Sequence, residues 1–409
     1  MGVYRGIQWH PGIVDRVMSL CHRIILHFVL FISLNTLLMA EIAAGKVHID
    51  DNNVTIVDSK PFFPLGLYTG SGPETDGAFK ELDEIADSPF NTIMNYGING
   101  GSIEQIRRYL DAANKRGIKV IYSLKDFYEG TRYYPGKVGD YRGEEEMTRG
   151  VVTEFKDHPA ILAWYLNDEL PAGYIPRLTR RYELVKKLDP DHPTWAVLYQ
   201  VNELAPYLRT ADIIGADPYP VPDKSISMAG EWTQLVRKAV GNREAVWMVP
   251  QAHNTSLYSE TMHKGPTFDE MRCMAYQCLV NGANGLIFYS FFDLKRDPSG
   301  FESRWSDVKK LGNEIKGLTP VLLSSEDTPK VQSSTMNIHF STKRLDDKIY
   351  IIAVNASDKE LDAEFVIPTE SKSAKVLSED RSVPIEDYRI KDKFPPITVH
   401  VYEISLSSF

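Results

Sequence analysis

Ala160-Ile161-Leu162-Ala163-Trp164-Tyr165-Leu166-Asn167-Asp168-Glu169-Leu170-Pro171 is an apolar run that ends in an amide, two carboxylates and a proline. A strand buried on both faces reads as a continuous apolar run, and proline stops further pairing. In a parallel α/β barrel, catalytic groups stand where the strands end, so polar residues closing an apolar strand have a mechanical reason to be there. The plainer alternative is that Asp168 and Glu169 decorate the start of the helix carrying Arg177 to Lys187.

The same unit recurs on both sides of this stretch. Before it come apolar runs at Phe62–Tyr68, Asn91–Tyr96 and Ile118–Leu124; after it come Thr194–Tyr199, Ala211–Asp217, Ala245–Gln251 and Gly285–Phe292. Between them the apolar residues recur at helical spacing, as in Ile103, Ile106, Tyr109, Leu110 and Ala113. Eight strands alternating with helices predict a closed (β/α)8 TIM barrel. A hairpin pattern over Lys46 to Lys60, turning at Asp51-Asn52-Asn53, precedes the first strand. The polar stretch Lys125 to Arg142, with Tyr128, Tyr133, Tyr134 and Tyr141, is too long for a plain connection and reads as a binding loop.

After the helix at Asp307 to Leu318 the pattern changes to short strands with turns and no helix, the signature of a small all-β sandwich. The predicted organisation is a signal peptide over 1–44, a barrel with its N-terminal hairpin over 45–324, and a β-sandwich over 325–409. The signal is read from Arg16 and Arg23 ahead of the apolar run Ile24 to Ala40, with Ala43, Ala44 and Gly45 after it and Met18 as a start. It predicts a secreted or periplasmic protein, with no membrane association after cleavage.

Composition narrows the function classes. The chain has 409 residues, 43% hydrophobic and 25% charged, with a formal charge of -9 that is spread rather than blocked. No basic cluster with interleaved aromatics points to nucleic acid. Cys273 and Cys278, five apart, do not share a helical face, and no histidine or carboxylate spacing fits a metal. No phosphate-binding glycine loop follows a strand, so no cofactor is expected. Asn53, Asn254 and Asn355 match the N-glycosylation pattern.

The strand tips supply carboxylates, amides and aromatic rings: Asn95, Tyr96, Asn167, Asp168, Glu169, Asp217, Tyr219, Gln251 and Tyr289, with Tyr68, Asp126, Tyr199, His253 and Asp293 also in reach. A sugar needs an acid for its glycosidic oxygen, partners for its hydroxyls and flat apolar faces for its ring. The expected partner is therefore a carbohydrate.

At this point the chain resembles the clan A glycoside hydrolases, barrel enzymes often led in by a Lys-Pro-Phe-Phe-Pro-like strand, here Lys60 to Pro64, and followed by a β-sandwich. The resemblance covers the architecture from Lys46 onward. It implies hydrolysis of glycosidic bonds, with Glu169 matching the general acid/base of the strand-four Asn-Glu pair, although Asp168 precedes it and Asn167 stands one step earlier. The family's nucleophile is a glutamate ending strand seven, where this chain reads Val249-Pro250-Gln251-Ala252-His253. A glutamine cannot form the glycosyl ester of double displacement. Three readings follow. Asp217 or Asp293 serves as the second carboxylate; Asp168 and Glu169 act as a pair in a substrate-assisted reaction, Asp168 orienting an acetamido group; or the barrel binds glycans without cleaving them. In the first two, Asn167 and Gln251 are expected to bond hydroxyls, and Tyr96, Tyr219 and Tyr289 to face sugar rings.

Overall fold

A computed structural model describes residues 46–260 and 264–406. The signal expected over 1–44 lies outside them. Among the described residues no helix is long and apolar enough to cross a membrane.

Eight parallel strands close a barrel in chain order: β1 (Leu65–Thr69), β2 (Thr92–Asn95), β3 (Lys119–Ser123), β4 (Ile161–Asp168), β5 (Thr194–Val197), β6 (Ile213–Gly215), β7 (Ala245–Met248) and β8 (Gly285–Phe288), with β8 paired to β1. The strands are short apolar segments because both faces are covered, the inner face by residues such as Met94, Tyr165, Trp195 and Trp247 and the outer face by helices. At Gly215 a β-carbon would lie 2.0 Å from the Trp247 carbonyl oxygen, so only glycine lets β7 come alongside. Several helices begin where the sequence provides caps: Ser102 with Gln105 and Thr267 with Glu270 each form a capping box.

The N-terminal segment forms a three-stranded sheet, Val47–Ile49, Thr55–Val57 and Lys60–Phe62, rather than a hairpin alone. Val47 and Val57 join the interior packing of the barrel, and Val47 N donates to Asp191 O just ahead of β5. This sheet thus closes the mouth where the strands begin, leaving the mouth where they end for the site.

Strand β4 is irregular in a way that decides the site. Its register against β3 skips Leu162, and its register against β5 skips Leu166, so the strand carries a bulge on each side. A bulge shifts the in-and-out alternation by one residue. Glu169 then takes a left-handed backbone conformation, φ 61°, which is uncommon outside glycine and clusters at functional sites.

The C-terminal part is an antiparallel sheet of eight strands: β9 (Gln332–Ser333), β10 (Ile338–Leu345), β11 (Lys348–Asn355), β12 (Leu361–Val366), β13 (Ser373–Val376), β14 (Arg381–Glu386), β15 (Arg389–Phe394) and β16 (Thr398–Ser405). Their order is β9-β12-β15-β14-β13-β16-β11-β10, folded over so that Phe365 of one half meets Phe340 and Tyr402 of the other, 5.4 and 5.8 Å between ring centres. Strand β11 is apolar on both faces: Ile349, Ile351 and Ala353 fill the sheet's own core while Ile352 and Val354 join the barrel's. The helix Phe268–Val280 meets that second face, where Arg272 donates to Val399 O at 2.8 Å.

The three glycosylation-pattern asparagines are buried, Asn355 completely, and their amides donate to Asn242 O, to Asp297 and to the carbonyls of Lys359, Phe394 and Pro395. Their role in this fold is to tie loops.

Candidate active site

Where the strands end, a cavity of about 770 Å³ opens. Its walls are mostly rings: Tyr68 from β1, Tyr96 after β2, Tyr133 from the loop after β3, Tyr219 after β6, Tyr258 after β7, and Tyr289 and Phe292 after β8. They brace one another edge to face, with ring centres 5.4 Å apart for Tyr68 and Tyr96, 5.3 Å for Tyr68 and Tyr289, and 5.6 Å for Tyr289 and Phe292. Aromatic pairs prefer this geometry, and it fixes the wall before any ligand arrives.

Four carboxyl groups line the same cavity: Asp126, Asp168, Glu169 and Asp217. Asp168 is oriented by three donors. Tyr165 Oη reaches its Oδ1 at 2.7 Å, while Tyr96 Oη and Lys125 Nζ reach its Oδ2, each at 3.1 Å. Lys125 also contacts Asp126 at 2.9 Å and lies 4.5 Å over the Tyr96 ring. The two neighbouring carboxylates outweigh the cost of its burial, and its ammonium is held above the usual lysine range.

The carboxyl groups of Glu169 and Asp217 meet, and each alters the other's ionisation. Asp217 is 7% exposed, and burial followed by the nearby Glu169 and Asp168 raises its carboxyl well above the aspartate range. Glu169 is exposed to the cavity, yet the surrounding wall raises its carboxyl as well, with Asp168 adding to the rise and the contact with Asp217 opposing it. Two carboxyls in such contact do not ionise independently, and the pair shares a proton. Its accessible end is Glu169. The Oδ1 of Asp217 is buried and has no partner.

The bulge at Leu166 explains which β4 residues reach the cavity. It returns Asp168 to the same face as Tyr165, and the left-handed backbone at Glu169 brings that side chain in beside it. Asn167, expected to contact substrate, is instead fully buried, with Oδ1 accepting from Leu170 N at 3.0 Å. Asn95 is likewise outside the lining, its amide donating to Ser71 O and Tyr109 Oη and its Oδ1 accepting from Gly97 N. Gln251 is also corrected: fully buried, it accepts from Val221 N and donates to Val221 O, both at 2.9 Å, so the polar tip of β7 holds the loop after β6. Asp293 is buried outside the lining, bonded by Ser290, Tyr258 and Arg296. Tyr96, Asp168, Glu169, Asp217, Tyr219 and Tyr289 are brought together as the sequence reading expected.

Three lining residues carried weak sequence signals. Lys125 stands two residues past β3 and neighbours an acid, which is a signal only once its partner on β4 is known. Tyr258 lies eight residues beyond Pro250, just after the short 3-10 turn Thr255–Leu257, and Phe292 lies beyond Tyr289 in the short helix Phe291–Leu294 that follows β8. His253 is 5% exposed, 4.8 Å from the Tyr219 ring, and burial lowers its imidazole to about 4. It is neutral at ordinary pH and packs as a polar ring.

No protein-family model matches the sequence, and no curated protein matches it. Among solved structures, a glycoside hydrolase family 5 protein from Bacteroides vulgatus is similar with TM-score 0.63 and 13% identity, over 88% of this chain and 93% of that one. A structure named only as a glycoside hydrolase gives TM-score 0.62 at 13% identity, over 89% and 98%. The α-amylase from Geobacillus thermoleovorans, solved with acarbose, gives 0.57 at 12%, over 84% and 99%. At such identities the likeness is one of fold, and the chain has the barrel-plus-sheet fold in which these glycoside hydrolases are built.

Proposed function

We propose that the protein is a glycoside hydrolase with Glu169 as the general acid/base. The observation that carries this reading is the Glu169–Asp217 carboxyl pair beside Asp168, in a ring-walled cavity at the end of the barrel where catalytic groups gather. The pair shares a proton, and Glu169 is the member from which it can pass to a glycosidic oxygen. As that oxygen accepts the proton, its bond to the anomeric carbon breaks and positive charge grows on the sugar ring, which the Asp168 carboxylate is placed to stabilise.

The route favoured is one without a protein nucleophile. Asp217 touches Glu169, whereas a facing nucleophile stands roughly 5 Å from the acid in retaining enzymes. Gln251 is committed to Val221. Asp168, fixed through Tyr165, Tyr96 and Lys125, has the orientation needed to hold an acetamido group while that group attacks the anomeric carbon. A second reading, a glycan-binding barrel without catalysis, is favoured by the same amide at the end of β7.

The test is a panel of polysaccharides and aryl glycosides, including 2-acetamido sugars, with Glu169→Gln and Asp168→Asn alongside. Turnover lost in Glu169→Gln supports the hydrolase. Glycan binding without any cleavage replaces it with the binding protein. Export through cleavage near Ala44 is part of the same proposal, tested by the N-terminus of protein recovered from outside the cytoplasm.

A further inference from the structure

We propose that the cavity selects sugars that are uncharged or carry an amino group, and rejects uronic acids and other anionic sugars. This rests on the hydrolase reading and specifies its substrate class. Four carboxyl groups line the cavity against one ammonium, Lys125. That ammonium is already committed, 2.9 Å from Asp126 and 3.1 Å from Asp168, and its side chain is only 8% exposed. It is a brace between two acids rather than a receptor for a ligand's carboxylate.

Among the described residues no other cation reaches the lining. His253 is neutral above a pH of about 4. Arg132 lies over the Tyr133 ring and Arg296 pairs with Asp293, both outside the lining. An anionic sugar would therefore be desolvated against like charges, and like-charge juxtaposition inside a low-dielectric cleft is strongly unfavourable. The same lining points to what is accepted instead: Asp126, Asp168 and the Glu169–Asp217 pair offer acceptors to the hydroxyl or ammonium donors of a sugar, and no donor to a carboxylate.

Matched 4-nitrophenyl glycosides decide this, gluco against glucurono and galacto against galacturono, in both anomers, with wild-type protein and Asp126→Asn. The neutral member of a cleaved pair is expected to exceed its uronide by about a hundredfold in kcat/KM, and Asp126→Asn to narrow that ratio about tenfold. Should Asp126→Asn misfold, the wild-type ratio is followed against salt, and it is expected to shrink as ionic strength rises. A uronide cleaved as fast as its hexoside overturns the inference. If none of these pairs is cleaved, the hydrolase reading is decided by the 2-acetamido panel, and calorimetric titration with glucose, glucuronate and protonated 1-deoxynojirimycin still tests the charge. Iminosugar over hexose over uronate upholds the selection; uronate binding as tightly as the others, or no order among the three, overturns it.

Discussion

The carboxyl groups of Asp217 and Glu169 meet in the cavity, so its deepest acid and its most accessible one form a single unit. Neither residue is adjacent to the other in sequence: β4 delivers one and β6 the other, with β5 between them. General acid catalysis from a positioned carboxyl contributes about two to four powers of ten. Glu169→Gln is therefore expected to lose about a thousandfold in kcat while its circular dichroism and melting curve stay close to wild type, since the side chain faces the cavity.

The raised Asp217 carboxyl makes a signed prediction for stability. Its folded-state pKa lies above the unfolded value, so the folded protein holds a proton that the unfolded chain releases. The stabilisation is present in acid below the unfolded aspartate range and is lost as pH rises toward the folded value. Asp217→Asn removes this dependence. Thermal melts from pH 4 to pH 8 are expected to show the variant gaining on wild type as pH rises; parallel curves would show that the pair does not hold its proton.

His253 gives the opposite sign. Burial lowers its imidazole to about 4, so the unfolded chain takes up a proton that the folded protein refuses, and stability falls as pH drops from about 6.5 toward 4. By NMR its ring is expected to stay neutral until about pH 4. Titration near 6.5 would place it in water instead.

Gln251→Glu restores the residue type that clan A enzymes carry at the end of strand seven. It is not expected to restore their chemistry. The buried amide donates to the Val221 and His253 carbonyls, and a carboxylate cannot, so the change strands acceptors against a charge. A loss of about 2 kcal/mol or more in denaturant melts is expected, with no gain in turnover. Faster cleavage by the variant would mean that this tip faces substrate.

The barrel was legible because each strand is an apolar run and each helix a periodic one, from Leu65–Thr69 to Gly285–Phe288. The sheet was legible in the alternation of Leu361–Val366 and the turns between strands. What strand tips do with their polar groups was less so. Simple alternation assigns Asn167 to the interior with Tyr165, and only the bulge at Leu166 gives that place to Asp168. Gln251 and Asn95 have the chemistry of ligand contacts, but the backbone groups they satisfy, Val221 and Ser71, lie 30 and 24 residues away in sequence. Lys125 shows the same limit, for its partner Asp168 is brought to it by the closing of β3 against β4.

Strand β11 belongs to two cores at once, and this sets where the molecule can be cut. A fragment ending at Leu323 would keep all eight barrel strands and every lining residue of the cavity. It would also bare the apolar face that Ile352, Val354, Val399 and Val401 now cover. For anyone wishing to shorten this protein, the sheet is not an accessory that can be trimmed away: it is the last wall of the barrel, supplied late by the chain, and the smallest fragment that keeps this core covered includes it.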